Sequence, residues 1–158
     1  MGSEELMDEL MHCDDWFGLH SLREPRDNQL EILIVKFAPN RSKAGLLPDS
    51  LKDRPELSFL AEESCPIEPI PGCKKYRLYW CHYAAYLVTE EMVGSCGNYD
   101  CERYEGVRLR KYSTSSFLDH LARVTGAHNG PLLHYKITCL NHLVDVAAVN
   151  PPEISLID

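Results

Sequence analysis

Residues 133–148 read LHYKITCLNHLVDVAA, and this stretch predicts an antiparallel hairpin whose register follows from the residues alone. A two-residue loop at Asn141-His142 pairs Leu140 with Leu143, Cys139 with Val144 and Thr138 with Asp145. It also pairs Ile137 with Val146, Lys136 with Ala147 and Tyr135 with Ala148. One face then carries Cys139, Val144, Ile137, Val146, Tyr135 and Ala148, all apolar. The other carries Thr138, Asp145, Lys136 and, one pair further on, His134. Strand side chains alternate between faces, so a slip of one residue would scramble both. A one-sided sheet of this kind needs a cover for its apolar face.

Working outward, residues 3–12 predict a helix started by Ser3, with Leu6, Met7, Leu10 and Met11 as its apolar stripe. Residues 14–18 read as a turn with aromatic anchors, and 30–37 as a buried strand. Residues 76–92, YRLYWCHYAAYLVTEEM, hold neither glycine nor proline and are dense in strand formers. A straight strand of that length would exceed about 50 Å, so a bend is expected near Ala84-Ala85. A loop over 94–101 precedes a strand over 106–112, expected to pair back on 89–93 or further upstream. Ser113 to Ser116 offer caps for a helix ending at Gly126, with Phe117, Leu118, Leu121 and Val124 on one side. Residues 154–157 predict a final edge strand, open to pairing across a two-fold axis in a homodimer.

Residues 39–72 hold six of the ten prolines. Long regular elements are not expected there, although 49–63 could form a short helix. Leu46, Leu51, Phe59 and Leu60 would anchor this excursion to the body. The element order predicts one α+β domain over 1–158. Its core is a curved, mostly antiparallel sheet of about five to six strands, with two helices packed on one face.

Charge is uneven. Residues 1–31 hold nine acids and two bases, so seven of the eight excess negative charges lie there. An acidic lobe repels phosphate backbones and anionic lipid and favours a basic protein partner. No apolar run approaches the length of a bilayer span, and the N-terminal residues lack the pattern of a signal peptide. Seven cysteines without that pattern predict reduced thiols, a cytoplasmic location and no membrane association.

Strand geometry and spacing sort the chemistry-bearing residues. Cys65, Cys73, Cys96 and Cys101 together number the four thiolates of a structural zinc site, but their spacing is not that of a knuckle. No metal and no cofactor is expected. The hairpin separates His134 from His142 by roughly 25 Å, which rules out one shared metal. Cys81 and His82 are neighbours on a strand and point to opposite faces. Arg108 and Arg110 share a face, with Glu90 and Glu91 as their expected cross-strand partners, so no nucleic-acid binding is expected. Two readings of function follow. In the first, the protein is a non-catalytic cytosolic interaction module that meets a protein partner through Asp14, Asp15 and Trp16. In size, acidity and want of a catalytic motif it resembles the immunity proteins that neutralise bacterial toxins, a resemblance of general character. In the second, it binds a small molecule or hydrolyses one. The pocket would lie between helices and sheet, edged by Trp80, His82, Tyr86, His134 and Asp145, with Lys136 and Thr138 beside it.

Overall fold

The long run of strand formers does not stay in one sheet. In the computed structural model, which describes residues 2–45, 64–94, 101–125 and 131–157, it splits at a corner formed by Cys81 and His82. Lys75–Trp80 (β4) belongs to one sheet and Tyr83–Glu90 (β5) to another. The expected irregularity at Ala84 is present as a register shift between Tyr83 and Ala85, but the change of sheet comes just before it. A twisted strand this long relieves its twist by turning a corner between packed sheets.

Among the described residues there are therefore two antiparallel sheets where one curved sheet was expected. The first contains Trp16–Arg23 (β1), Leu30–Pro39 (β2), β4 and Glu153–Ile157 (β10), in the order β1-β2-β4-β10. Ile67–Glu68 (β3) pairs with the end of β2. The second runs β5-β9-β8-β7-β6, with Arg103–Glu105 (β6), Leu109–Thr114 (β7), Leu133–Thr138 (β8) and His142–Ala148 (β9). β7 pairs with β8 and β6 rather than with β5, which takes the free edge of β9. That pairing sets Leu109 opposite Ile137 on the buried face. Among the described residues the two sheets share one core. Alternate residues Leu30, Ile32 and Ile34 and Tyr76, Leu78 and Trp80 meet Tyr135, Ile137, Val144 and Val146. The Trp80 and Tyr135 rings lie 6.4 Å apart.

The helices also differ from the expectation of two on one face. Ser3–His12 (α1) inserts Leu6 and Leu10 into the core and packs against β10 and β7. Its N-cap is Gly2, and the Ser3 hydroxyl accepts the Ile154 N–H instead. Glu91–Gly94 (α2) is a single turn after β5. Ser116–Thr125 (α3) lies on the outer side of the second sheet, where Phe117 meets the His134 ring at 5.2 Å. The helix considered over 49–63 falls outside the described residues.

Residues 14–18, read as a turn, lead instead into a strand. Gly18 sits within β1 because a Cβ there would lie 2.2 Å from Phe37 Cζ, so its lack of a side chain lets the ring close over the backbone. The C-terminal hairpin forms with every side chain on its expected face but with the pairing displaced by two residues. Ile137 lies opposite Val144, and Lys136 opposite Asp145. The loop is Leu140-Asn141, closed by the Cys139 N–H to the His142 carbonyl at 2.9 Å. Asn141 is drawn away to β1, where its amide accepts from Leu19 N–H at 2.8 Å and donates to Leu19 O at 3.1 Å. Leu140 N–H adds a bond to Phe17 O. The tip thus extends the first sheet's hydrogen bonding at the β1 bulge, which short-range turn rules do not foresee.

On the outer face of the first sheet, Glu31 is buried between Arg23 and Arg77, at 2.5 and 2.6 Å. Hydrogen bonds from Arg23 and then Arg77 hold its carboxyl below the ordinary range. Its stabilisation is full above the unfolded value and is lost as pH falls through the lowered folded value. Glu31→Gln is expected to cost about 2 kcal/mol at pH 7, read from urea midpoints. The gap to the parent should narrow below about pH 4; an unchanged gap at pH 2 would reject the assignment.

Candidate functional site

The hairpin register and the pairing of β7 build the outer face of the second sheet in cross-strand rows. Arg110, Lys136 and Asp145 form one row, with Leu87 beyond them on β5. Tyr112, His134 and Ala147 form the next, with Tyr104 beside Tyr112. Thr138 and Leu143 make a third. The polar strip expected from the sequence is therefore assembled on one face, but most of it is sealed. His134 is 1%, Lys136 6% and Asp145 6% exposed.

His134 is satisfied at both ring nitrogens. Ser115 caps α3 by accepting Leu118 N–H at 3.1 Å, and its hydroxyl meets His134 Nδ1 at 2.7 Å. Facing a carboxylate, Nε2–H donates to Asp145 Oδ1 at 2.8 Å. Lys136 Nζ lies 3.3 Å from the same oxygen. The residue types are those of an acyl-transfer triad. Their setting is not, because Ser115 is 5% exposed and Tyr112 stacks on the imidazole at 4.2 Å. A nucleophile needs access to a substrate carbonyl, and this hydroxyl is enclosed while fastening a helix to a sheet.

Beside the sealed cluster a cavity of about 340 Å³ remains open. Its floor is Lys136, Thr138 and Tyr112, and its walls include Arg108, Arg110, Trp16, Tyr104 and the carboxylates Glu91 and Glu102. The cations lie on rings: Arg108 over Trp16 at 3.9 Å, Arg110 over Tyr104 at 4.5 Å and Lys136 over Tyr112 at 5.6 Å. Arg108 also donates to the Asp15 carbonyl at 2.6 Å and the Asp14 carbonyl at 3.1 Å. Arg110 Nε donates to Val107 O. Glu90 and Glu91, expected as cross-strand partners of these arginines, do not stand across a strand pair from them, because β5 is not next to β7; Glu91 lies in α2. Burial raises the Tyr112 phenol, while the Lys136 and Arg110 charges pull it down.

The cleft joins residues that the sequence had placed in separate sites. Lys136 and Thr138 meet Trp16, and Asp14 and Asp15 hold the Arg108 side chain at the rim. The Asp15 carboxylate pairs with Lys36 at 2.7 Å. The other expected pocket, with Trp80, His82, Tyr86, His134 and Asp145 together, is not formed. Trp80 faces the core, His82 is exposed at the corner between sheets, and the Tyr86 hydroxyl donates to Glu24 at 3.0 Å. Ser115, Tyr104 and Glu102 were not placed in a site from the sequence. Their positions depend on β6 and β8 flanking β7, which local patterning does not give.

Among the described residues no group of three His, Cys, Asp or Glu side chains is arranged to hold a metal ion. Cys65, Cys73 and Cys101 are free thiols, and Cys96 lies outside the described residues. Burial pushes the Cys139 thiol up to about 12, whereas Cys81 and Cys101 are exposed. Iodoacetamide at pH 8 should therefore label Cys81 and Cys101 in the native protein, and Cys139 only after denaturation, as read by peptide mass spectrometry. Early labelling of Cys139 would contradict its burial. Ser115→Ala should lower stability by about 1–2 kcal/mol through loss of the cap and of the bond to His134, measured by chemical unfolding.

Comparison with family models, curated proteins and solved structures returns no match to this chain.

Proposed function

We propose that the protein is a cytoplasmic, non-catalytic recognition domain that engages a protein partner through the cleft on its second sheet. The observation that carries this reading is the side-chain makeup of the rim. Trp16 is 42% and Tyr104 45% exposed, and each has an arginine laid on its ring. Trp, Tyr and Arg are the residues in which binding energy concentrates at protein interfaces, and pinning them in advance lowers the entropy lost on association. Val107, also exposed, extends the rim towards α1 through its N–H bond to Met11 O.

The acidic lobe contributes as a flank. Glu4, Glu5 and Asp8 are exposed on α1, so basic groups on the partner would find carboxylates there while the cleft takes the centre. No helix among the described residues is long and apolar enough to cross a membrane, and reduced thiols suit the cytoplasm. The hydrolytic alternative has Ser115, His134 and Asp145 in its favour, but their enclosure weighs against it.

Site-specific photo-crosslinking in cells tests the reading. A photoreactive residue at position 104 should capture one discrete protein, and the same residue at Val149 or Leu156 should not. Trp16→Ala should weaken that complex by about tenfold or more. Equal capture at all three positions, or a complex indifferent to Trp16→Ala, would reject the cleft as the interface.

A further inference from the structure

We propose that the cleft is an acid-recognition site in which Arg108 and Arg110 hold a carboxylate presented by an Asp or Glu side chain of the partner. The proposal rests on the recognition reading above and adds the chemistry of what is recognised. The chain carries 24 acids against 16 Lys and Arg, so its cations have an excess of carboxylates to choose from. Among the described residues Arg23, Lys36, Lys43, Lys74, Arg77 and Lys136 each take one within 4 Å. Arg108 and Arg110 are not so paired. They are held by rings and by main-chain carbonyls, and these supports leave the guanidinium charge unneutralised. Two such groups line one cavity, Arg110 from β7 and Arg108 from the bend just before it. A carboxylate between them would receive charge-assisted bonds from groups already fixed in place.

Two carboxylates, Glu91 and Glu102, line the same cavity, and Glu102 Oε1 accepts from the Ser116 hydroxyl and N–H. They oppose the concentrated charge of inorganic phosphate more than the single charge of one side-chain carboxylate on an otherwise neutral peptide. Exposed Trp16, Tyr104 and Val107 also extend the apolar rim beyond the cavity, as suits a chain segment more than a compact ion.

The test is a titration of the isotope-labelled full chain, following the Arg Nε–H resonances by nuclear magnetic resonance. The probes are N-acetyl-tetraglutamate amide, N-acetyl-tetraglutamine amide and inorganic phosphate. The expected result is saturable shifts of Arg108 and Arg110 with tetraglutamate, at least about tenfold weaker binding of phosphate, and no saturation with tetraglutamine. Arg110→Gln should weaken tetraglutamate binding by about tenfold and Arg110→Lys by less, both with parental melting temperature. Absence of saturation with tetraglutamate, equal response to the glutamine peptide, or tighter binding of phosphate would each overturn the proposal. The two readings fail separately. A cross-linked partner whose capture is unaffected by Arg108→Gln and Arg110→Gln overturns acid recognition alone. Normal tetraglutamate binding without any cross-linked partner overturns the recognition reading alone.

Discussion

His134, Lys136 and Asp145 stand on the outer side of a sheet yet are closed off from water, and much of the second sheet is arranged to make that tolerable. A buried carboxylate or ammonium costs several kcal/mol unless it is paired and its remaining hydrogen-bonding capacity is used. Asp145 accepts from both Lys136 and His134, and His134 passes its other nitrogen to Ser115. Because Ser115 also caps α3, satisfying the histidine fixes where the helix begins. Tyr112 and Phe117 then cover the imidazole with rings. Breaking any one member would leave the rest unsatisfied, which ties helix, sheet and aromatic cover into one unit.

The same arrangement explains why a cleft remains. The helix is anchored at the His134 end of the sheet, whereas Arg110 on β7 and Thr138 on β8 lie beyond its cover, with the buried Lys136 between the two regions. Their neighbours are side chains from the loops, β6 and β1 rather than a packed helix. The cleft is therefore the uncovered part of a sheet face whose other part had to be sealed. Its aromatic residues supply the lining that an aliphatic core would otherwise provide, and they hold cations at the surface without neutralising them.

Face membership was legible in the sequence because strand alternation is local. The apolar and polar sets of the C-terminal hairpin, the buried strand at 30–37, the stripe of α1 and the edge strand at 154–157 all depend on near neighbours; the stripe expected on α3 holds only in part, with Phe117, Leu118 and Leu121 half-buried and Val124 exposed. What escaped depended on distant ones. The hairpin loop moved by one residue because Asn141 bonds to Leu19, more than a hundred residues away. β1 was hidden because Gly18 suggests a turn until Phe37 is known to lie over it. The second sheet was missed because a corner at Cys81-His82 carries no glycine or proline to mark it. The candidate site divided in the same way. The strip of His134, Lys136, Thr138 and Asp145 could be read, but its cover by Ser115 and Tyr112 and the release of Arg108 and Arg110 from carboxylates follow from which strand lies beside β7.

Strand placement also changes what the acidic N-terminal fifth means. Part of its charge is spent within the fold: Glu9 on Lys74 and Tyr76, Asp15 on Lys36, and Glu31 on Arg23 and Arg77. The Lys74 and Tyr76 bonds hold the Glu9 carboxyl below its usual range, so that acid is ionised where it helps pin α1 to the first sheet. The excess still gives the whole molecule a negative field. At physiological salt such a field fades over about 8 Å, so a free anion is discouraged at a distance while the arginines govern within the cleft. A partner that carries basic groups around one acidic side chain escapes that penalty. In the proposed complex its positive surface would meet the flank of α1 as its carboxylate reached Arg108 and Arg110. On the proposed reading, the charge pattern favours a composite surface over a simple ion, and the acidic lobe would help decide which carboxylates are admitted.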